Sequence, residues 1–249
     1  MIIKAIKNKI VCLPQKDLNI KPLTHEEIHT AARERVYEIS REFTQGFRFL
    51  EKYTHSVTFF GSAQLKEGDE YYDKARELAK RIVSELSYTV ISGGGPGIME
   101  AANRGAKEAG GNSVGLTIRL PREQVMNDYM TDHIDFYYFF SRKVCLTYSA
   151  EAFIFFPGGF GTLDEFFEVV TLLQTHKIPN IPVILFGTEY WGKLFEYLKE
   201  TVRAKRMIDD DDMAIPHITD DFEEAIRVIK DAPVRKALPY NGLKINPVD

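Results

Sequence analysis

Three apolar runs that end in small residues constrain the fold more than any other feature of the chain. Residues 56–63 read SVTFFGSA, residues 88–97 read YTVISGGGPG and residues 152–161 read AFIFFPGGFG. Each run has the length of a buried strand, and helix-like sequence follows each one. Nearly continuous apolar strands that alternate with helices are typical of a parallel sheet covered on both faces. The sequence therefore predicts a doubly wound, mainly parallel α/β sheet with helices on both faces.

The rest of the chain continues this alternation and places an extra helix in front of it. Further strands are predicted over 112–118, 134–140 and 181–187. Helices are predicted over 24–52, 69–86, 98–110, 141–149, 162–175, 189–204 and 220–232. The helix over 24–52 precedes the first strand, so it is an extra N-terminal element. His217 and the acids of 209–212 are predicted to be loop or solvated residues.

Charge and cysteine content exclude several classes of protein. A net charge of −4 over 249 residues argues against a general nucleic-acid binder, which needs a basic face. The first fifteen residues carry scattered lysines and do not resemble a signal peptide, and no apolar stretch approaches the roughly 18 residues that cross a bilayer. Cys12 and Cys145 lie far apart in the chain, which suits a reducing compartment. We expect a cytoplasmic protein with neither nucleic-acid nor membrane partners.

The small-residue ends of the three strands indicate a phosphate site. Ligands of doubly wound sheets bind outside the carboxyl ends of the strands, and glycines there let backbone N–H groups approach an anion. The candidate ligand-binding residues in these loops are Ser62, Gly94, Gly95, Gly158, Gly159, Gly161 and Thr162. The P-loop pattern is absent, and the dinucleotide pattern fails because Ile98 or Asp164 stands where its third glycine should be. A smaller phosphorylated ligand is predicted, although such turns also occur where only a tight backbone is needed.

Acids follow the last glycine loop, where an anion is expected. If Thr162 starts the helix, Glu165 shares its face one turn further on and can face the sugar of a ligand. A carboxylate beside an anomeric carbon can stabilise an oxocarbenium-like transition state or activate water. The alternative for Glu165 is favourable interaction with the helix dipole, and Asp164 is assigned to that role alone.

Two basic residues precede the same strand. Arg142 and Lys143 are expected near this sheet edge, where Arg142 could bind phosphate or hold Glu165 ionised. The alternative is a solvated surface pair. The aromatic-rich segment 129–140 is a candidate source of a base pocket.

Residues 25–29 read HEEIH, which matches the H-E-x-x-H zinc pattern. Thr24 and Glu27, however, form a T-x-x-E capping box, so the segment also reads as the start of a helix. The third ligand of the extended zinc pattern is absent, and the other histidines are scattered. No metal site is predicted.

Two motifs together resemble a known family. SGGGPGIMEAANRGA (92–106) and PGGFGTLDE (157–165) resemble the LOG (Lonely Guy) family, whose hallmark is P-G-G-x-G-T-x-x-E, over about residues 55–205. The resemblance implies a Rossmann-like homodimer or larger homo-oligomer. It also implies hydrolysis of the N-glycosidic bond of a nucleoside 5′-monophosphate, either AMP or a cytokinin riboside monophosphate, without a cofactor. A non-catalytic nucleotide or molybdenum-cofactor carrier of the same superfamily is the alternative.

The family motif also implies roles for individual residues. Glu165 and Arg142 would be catalytic, and Gly158, Gly159, Gly161 and Thr162 would bind phosphate. Glu100 would contribute to the ribose or active-site network, with Lys143 among the substrate-binding residues. The resulting division is an N-terminal arm and helix (1–54), a nucleotide-binding catalytic domain (55–235) and a C-terminal tail (236–249).

Members of this family often carry the label "putative lysine decarboxylase". Amino-acid decarboxylases generally use a lysine Schiff base to pyridoxal phosphate. Neither glycine loop contains a lysine, and Lys143 is not in a recognisable cofactor motif. Decarboxylation is therefore not predicted.

Overall fold

The computed structural model describes residues 24–119, 126–148 and 150–232. Cys12 and the predicted terminal segments 1–15 and 236–249 lie outside the described residues. The chain divides into two compact units, Met1–Ser40 and Arg41–Asp249. In the described part of the chain, no helix is both long and apolar enough to cross a membrane.

The larger unit contains a seven-stranded sheet in which every pair of neighbouring strands is parallel. The strands are β1 Ser56–Phe60, β2 Thr89–Ser92, β3 Ser113–Ile118, β4 Asp132–Phe136, β5 Ala150–Phe155, β6 Val183–Phe186 and β7 Pro216–Thr219. Their order across the sheet is β4-β3-β2-β1-β5-β6-β7. The predicted doubly wound α/β fold is confirmed.

Helices alternate with most of the strands, as the sequence predicts. They are α1 His25–Leu50, α2 Glu70–Leu86, α3 Ile98–Glu108, α4 Phe139–Tyr148, α5 Phe160–Gln174, α6 Thr188–Tyr197, α7 Asp210–Met213 and α8 Phe222–Asp231. A π-helical stretch, Leu198–Arg203, directly follows α6. Alternate residues of one strand enter opposite faces: Val57 and Phe59 join the cluster with α2, α3 and α8, whereas Phe60 joins the cluster with α4, α5 and α6. Both faces of the sheet are therefore buried.

Three local predictions are wrong. Residues 137–140 were predicted as strand, but β4 ends at Phe136 and α4 begins at Phe139. Helix α5 begins two residues before Thr162, with Gly159 as its N-cap. His217 belongs to the edge strand β7, which pairs with β6, rather than to a loop. The acids of 209–212 were predicted to be loop or solvated residues, and Asp209, Asp210 and Asp211 are exposed. They begin a short helix with a capping box between Asp209 and Asp212.

The first unit is described from Thr24 onward and confirms the capping box. The Thr24 N–H donates to Glu27 Oε2 at 2.7 Å, and the Glu27 N–H donates to Thr24 Oγ1 at 3.2 Å. Within the HEEIH segment, His25 and His29 are exposed. In the three described ranges, no group of three or more His, Cys, Asp or Glu side chains is arranged to hold a metal ion.

Candidate active site

The point where the strand order reverses positions the site. Strands β2, β3 and β4 extend from β1 in one direction, and β6 and β7 extend from β5 in the other. The crevice outside the carboxyl ends of β1 and β5 is where doubly wound folds bind ligands. The loop after β1 starts at Gly61, and the loop after β5 contains Pro157 and three glycines. Topology thus places two of the predicted loops side by side.

Backbone hydrogen bonds connect all three loops through Ser62. The Ser62 N–H donates to Pro157 O at 3.0 Å, and the Ile98 N–H donates to Ser62 O at 2.9 Å. Gly97 has φ +73°, and a Cβ there would lie 2.2 Å from Ser62 O, so this approach requires glycine. The first amide of α3 is therefore occupied by the protein, which leaves α5 as the better anion site.

The N-terminus of α5 is open to a ligand. No acceptor among the described residues receives the backbone N–H groups of Phe160, Gly161 and Thr162, and the first helical bond runs from the Leu163 N–H to Gly159 O at 3.1 Å. Gly159 provides no side-chain cap. Free amides and the positive end of the helix dipole favour a phosphate at this position.

A cavity of about 400 Å³ lies beside this helix start. That volume is within the range of small-molecule sites. The predicted site residues that line it are Ser62, Arg142, Lys143, Gly159, Gly161, Thr162 and Glu165. Apolar lining comes from Phe59, Phe60, Met99 and Phe139. The structure therefore brings seven of the predicted residues together around one space with polar and apolar parts.

Glu165 faces the cavity without a hydrogen-bond partner among the described residues. Burial raises the pKa of Glu165 from its ordinary 4.5 to about 7, while Arg142 and Lys143 oppose the rise. Asp164 and Glu168 add to the rise because their negative charges lie close by. A carboxylate with a pKa near neutrality can exchange a proton at physiological pH.

Arg142 is buried beside Glu165 and is held by backbone carbonyls. It is 8% exposed, so the alternative of a solvated surface residue is wrong. Its Nε donates to Leu116 O at 2.6 Å and its Nη2 to Gly93 O at 3.3 Å. Burial lowers the pKa of Arg142, and the negative charge of Glu165 opposes that change. A Cβ at Gly93 would lie 2.1 Å from Nη2, so glycine leaves the space that the guanidinium occupies.

Lys143 is engaged in ion pairs. Its Nζ lies 2.9 Å from Asp164 Oδ2 and 2.8 Å from Glu168 Oε2. Burial lowers the pKa of Lys143, but hydrogen bonds to these two carboxylates outweigh it and raise the pKa overall. Asp164 therefore does more than favour the helix start, contrary to the sequence prediction. Lys143 lines the cavity while its charge is already compensated.

The other predicted residues, which are Gly94, Gly95, Glu100 and Gly158, are absent from the cavity lining. Glu100 accepts a hydrogen bond from Tyr72 OH at 2.7 Å and is absent from the cavity lining. Gly94 and Gly95 also lie outside the lining, and Gly94 has φ +70°. Gly158 packs under Thr162, since a Cβ there would lie 2.2 Å from Thr162 Oγ1.

The sequence did not single out two further residues, Tyr190 and Phe139. The carbonyl of Gly158 accepts a hydrogen bond from Tyr190 OH at 2.6 Å, and Tyr190 stands in α6, over thirty residues away. Phe139 lies on the same face of α4 as Arg142 and Lys143, at the i, i+3 and i+4 positions. The predicted base-pocket segment 129–140 includes Phe139, but only the true start of α4 shows which aromatic residue lines the cavity.

The sheet order and the crevice define the class of protein as doubly wound α/β. At the point where the strand order reverses, it has a helix N-terminus suited to phosphate, a buried guanidinium and an unpaired carboxylate. Residues 99–229 match the profile of the family described as "Possible lysine decarboxylase". The chain belongs to this family, which includes the LOG proteins.

Named relatives agree with this membership. The chain is 29% identical to the Arabidopsis thaliana cytokinin riboside 5′-monophosphate phosphoribohydrolase LOG5 over 153 residues, which are 61% of this chain and 66% of that protein. It is 30% identical to the Rhodococcoides fascians cytokinin riboside 5′-monophosphate phosphoribohydrolase over 151 residues, which are 58% of this chain and 74% of that protein.

Solved structures share the fold. The X-ray structure of TM1055 aligns with a TM-score of 0.52 and 26% identity, covering 71% of this chain and 98% of that one. The molybdenum cofactor carrier protein of Chlamydomonas reinhardtii aligns with a TM-score of 0.52 and 25% identity, covering 71% and 96%.

The family description raises the question of pyridoxal phosphate, which the cavity does not fit. Among the described residues, the lysine that lines the cavity is Lys143. A Schiff base needs a neutral amine, whereas Asp164 and Glu168 hold this ammonium and raise its pKa.

Proposed function

We propose that the protein hydrolyses the N-glycosidic bond of a nucleoside 5′-monophosphate, AMP or a cytokinin riboside 5′-monophosphate, to free base and ribose 5-phosphate. The observation that carries the proposal is the position of Glu165. Its unpaired carboxylate lies in a cavity beside Arg142, one helical turn beyond three free amides. The names of the relatives support this reaction class.

The phosphate binds at the start of α5 in this proposal. The N–H groups of Phe160, Gly161 and Thr162 donate to its oxygens, and the Thr162 hydroxyl adds a further donor. Glu165 is three residues beyond Thr162, about 4.5 Å along the helix axis at 1.5 Å per residue. The carboxylate therefore reaches the ribose and leaves the anion to the amides.

The reaction joins water to the anomeric carbon as the base departs. Glu165 in its ionised form accepts a proton from the attacking water and stabilises positive charge on the sugar. The new C1′–O bond forms while the C1′–N bond breaks, and the electron pair of the C1′–N bond leaves with the base. The base then takes up the proton that Glu165 received from the water. Arg142 offers guanidinium N–H groups to the phosphate or the leaving base. Phe139, Met99 and the other apolar lining residues exclude water around the base.

A carrier needs the loops and not the reactive carboxylate. The fold-level likeness to the molybdenum cofactor carrier fits this alternative, but the unpaired carboxylate of Glu165 in the cavity favours hydrolysis. The hydrolase is therefore the better-supported function. A homodimer is part of the proposal, and light scattering in solution tests it.

Base release from AMP tests the function. Purified protein is incubated with AMP or isopentenyladenosine monophosphate, and free base is measured by chromatography. The matched variants are Glu165→Gln and, as control, Glu77→Gln, which changes an exposed acid of α2. We expect base release from wild type and Glu77→Gln only, with AMP binding retained in Glu165→Gln. Tight binding of nucleotide without turnover in wild type would favour the carrier function. Absence of both binding and turnover would show that the cavity is not a site for these nucleotides.

A further inference from the structure

The N-terminal end of α4 is capped by an acid from another helix. Glu42, in the part of α1 that belongs to the larger unit, accepts hydrogen bonds from the backbone N–H of Tyr137 at 2.5 Å and of Tyr138 at 3.3 Å. The hydroxyl of Ser141 also donates to the Glu42 carboxylate. A carboxylate here satisfies helix amides and complements the positive end of the helix dipole. Glu42 thus occupies the end of α4 as a bound anion would.

Close packing reinforces this contact. Gly46 lies so near α4 that a Cβ would be 2.6 Å from Cys145 Sγ. The ring of Phe43 is 6.3 Å from that of Phe140, and the ring of Phe47 is 4.5 Å from that of Tyr148. From Arg41 onward, α1 therefore supports α4 along its length.

Helix α4 carries both cations that line the cavity, Arg142 and Lys143. Tyr138 links the cap to Arg142, because the Tyr138 N–H donates to Glu42 while Tyr138 O accepts the first helical bond from the Arg142 N–H at 3.2 Å. Arg142 then donates to Leu116 O, in β3, and to Gly93 O, in the loop after β2. The axial position of α4 fixes where its guanidinium stands relative to Glu165.

We propose that Glu42 is a positioning residue for Arg142, and that α1 holds the helix of the active site through it. This inference rests on the proposed hydrolase function for its kinetic consequences. Glu42 precedes the segment 99–229 that matches the family profile, so the chain supplies this support from outside that segment.

The charges around Glu165 predict how loss of the cap shows in the kinetics. Arg142 and Lys143 face Glu165 from α4 and favour its ionised form, while Asp164 and Glu168 face it from α5 and disfavour it. If α4 shifts, its two cations move relative to Glu165, whereas the two acids of α5 keep their positions. The ionised form of Glu165 then requires a higher pH, so the acid limb of the pH–rate profile moves upward. A general loss of folded protein lowers the rate without moving this limb.

Variants at Glu42 test the inference. Glu42→Ala, Glu42→Gln and Glu42→Asp are compared with Glu51→Gln, an exposed acid just beyond α1. We expect Glu42→Ala to lower kcat on AMP about 10-fold with a smaller change in KM, and to move the acid limb to higher pH. Glu42→Gln keeps an acceptor oxygen and should fall between Glu42→Ala and wild type. Glu51→Gln should behave as wild type.

Hydrogen exchange provides a readout that does not need turnover. In Glu42→Ala the amides of 137–142 should exchange faster than in wild type, while those of α2 stay unchanged. If the wild type releases no base, the hydrolase proposal fails, and exchange alone still decides whether Glu42 holds α4. If Glu42→Ala does not fold, hydrogen exchange and the pH–rate profile of Glu42→Gln decide whether Glu42 positions Arg142. Unchanged exchange together with an unmoved acid limb in a folded variant would overturn the inference.

Discussion

Replacing Glu165 by glutamine should stabilise the protein at neutral and alkaline pH while it abolishes base release. Burial raises the pKa of Glu165 from 4.5 to about 7. Between these values the native state keeps a proton that the unfolded chain has lost, so raising the pH favours unfolding. At about 1.4 kcal/mol per pH unit, the difference of about 2.5 units costs the wild type at most about 3 kcal/mol above pH 7. Glutamine resembles the protonated acid and avoids this cost.

Urea unfolding followed by circular dichroism at pH 4.5, 6 and 8 measures the effect. The free energy of unfolding of Glu165→Gln should nearly equal that of wild type at pH 4.5 and exceed it by up to about 3 kcal/mol at pH 8. The control Glu77→Gln should follow the wild-type curve at every pH. A gap between Glu165→Gln and wild type that does not change with pH would refute a buried, pKa-shifted carboxylate. In kinetics, the wild-type rate should rise with pH through about 7, because the ionised acid is the active form.

Three further substitutions probe the surroundings of Glu165. Arg142→Lys should lower kcat on AMP at least about 100-fold, because a point charge cannot replace the planar guanidinium that donates hydrogen bonds to two carbonyls. A rate near that of wild type would contradict a catalytic role for Arg142. Gly93→Ala should lower kcat/KM by displacing Arg142, since the alanine Cβ would lie 2.1 Å from Arg142 Nη2. Steady-state kinetics and thermal melts should show a larger loss of activity than of stability. A larger loss of stability than of activity would argue against this reasoning. Tyr190→Phe should raise KM for AMP about 10-fold with little change in kcat, because the Gly158 carbonyl loses its hydrogen bond at the phosphate loop; an unchanged KM would show that Tyr190 does not position the loop.

The alternation of strands and helices was predictable because the signals are local. Apolar runs such as FIFFPGG predict a buried strand followed by a tight turn. The strand β7 has no such signal, since PHIT is four residues long, begins with proline and contains a partly exposed His217. It becomes a strand because β6 offers an unpaired edge. The aromatic residues 137–140 read as strand, and the cap from Glu42 helps to end that strand and start α4.

The candidate site also combines features that local sequence predicts with contacts that only the fold creates. The motif PGGFGTLDE was sufficient to select Thr162 and Glu165 as neighbours on one helix. The ion pair between Lys143 and Asp164 joins residues on different helices, and no spacing in the chain predicts it. Glu100 stands at the end of a glycine loop, yet Tyr72 holds its carboxylate away from the cavity lining.

By itself, the sequence determined the class of fold and the chemistry available at one sheet edge. Strand length, helix periodicity and glycine spacing act over a few residues, so they can be read along the chain. Only the tertiary structure decided how that chemistry is tuned. Burial makes Arg142 a fixed guanidinium and brings the pKa of Glu165 near neutrality. Both effects depend on desolvation and on charges from other helices, and these exist only after the sheet order has brought α4 and α5 to the same crevice.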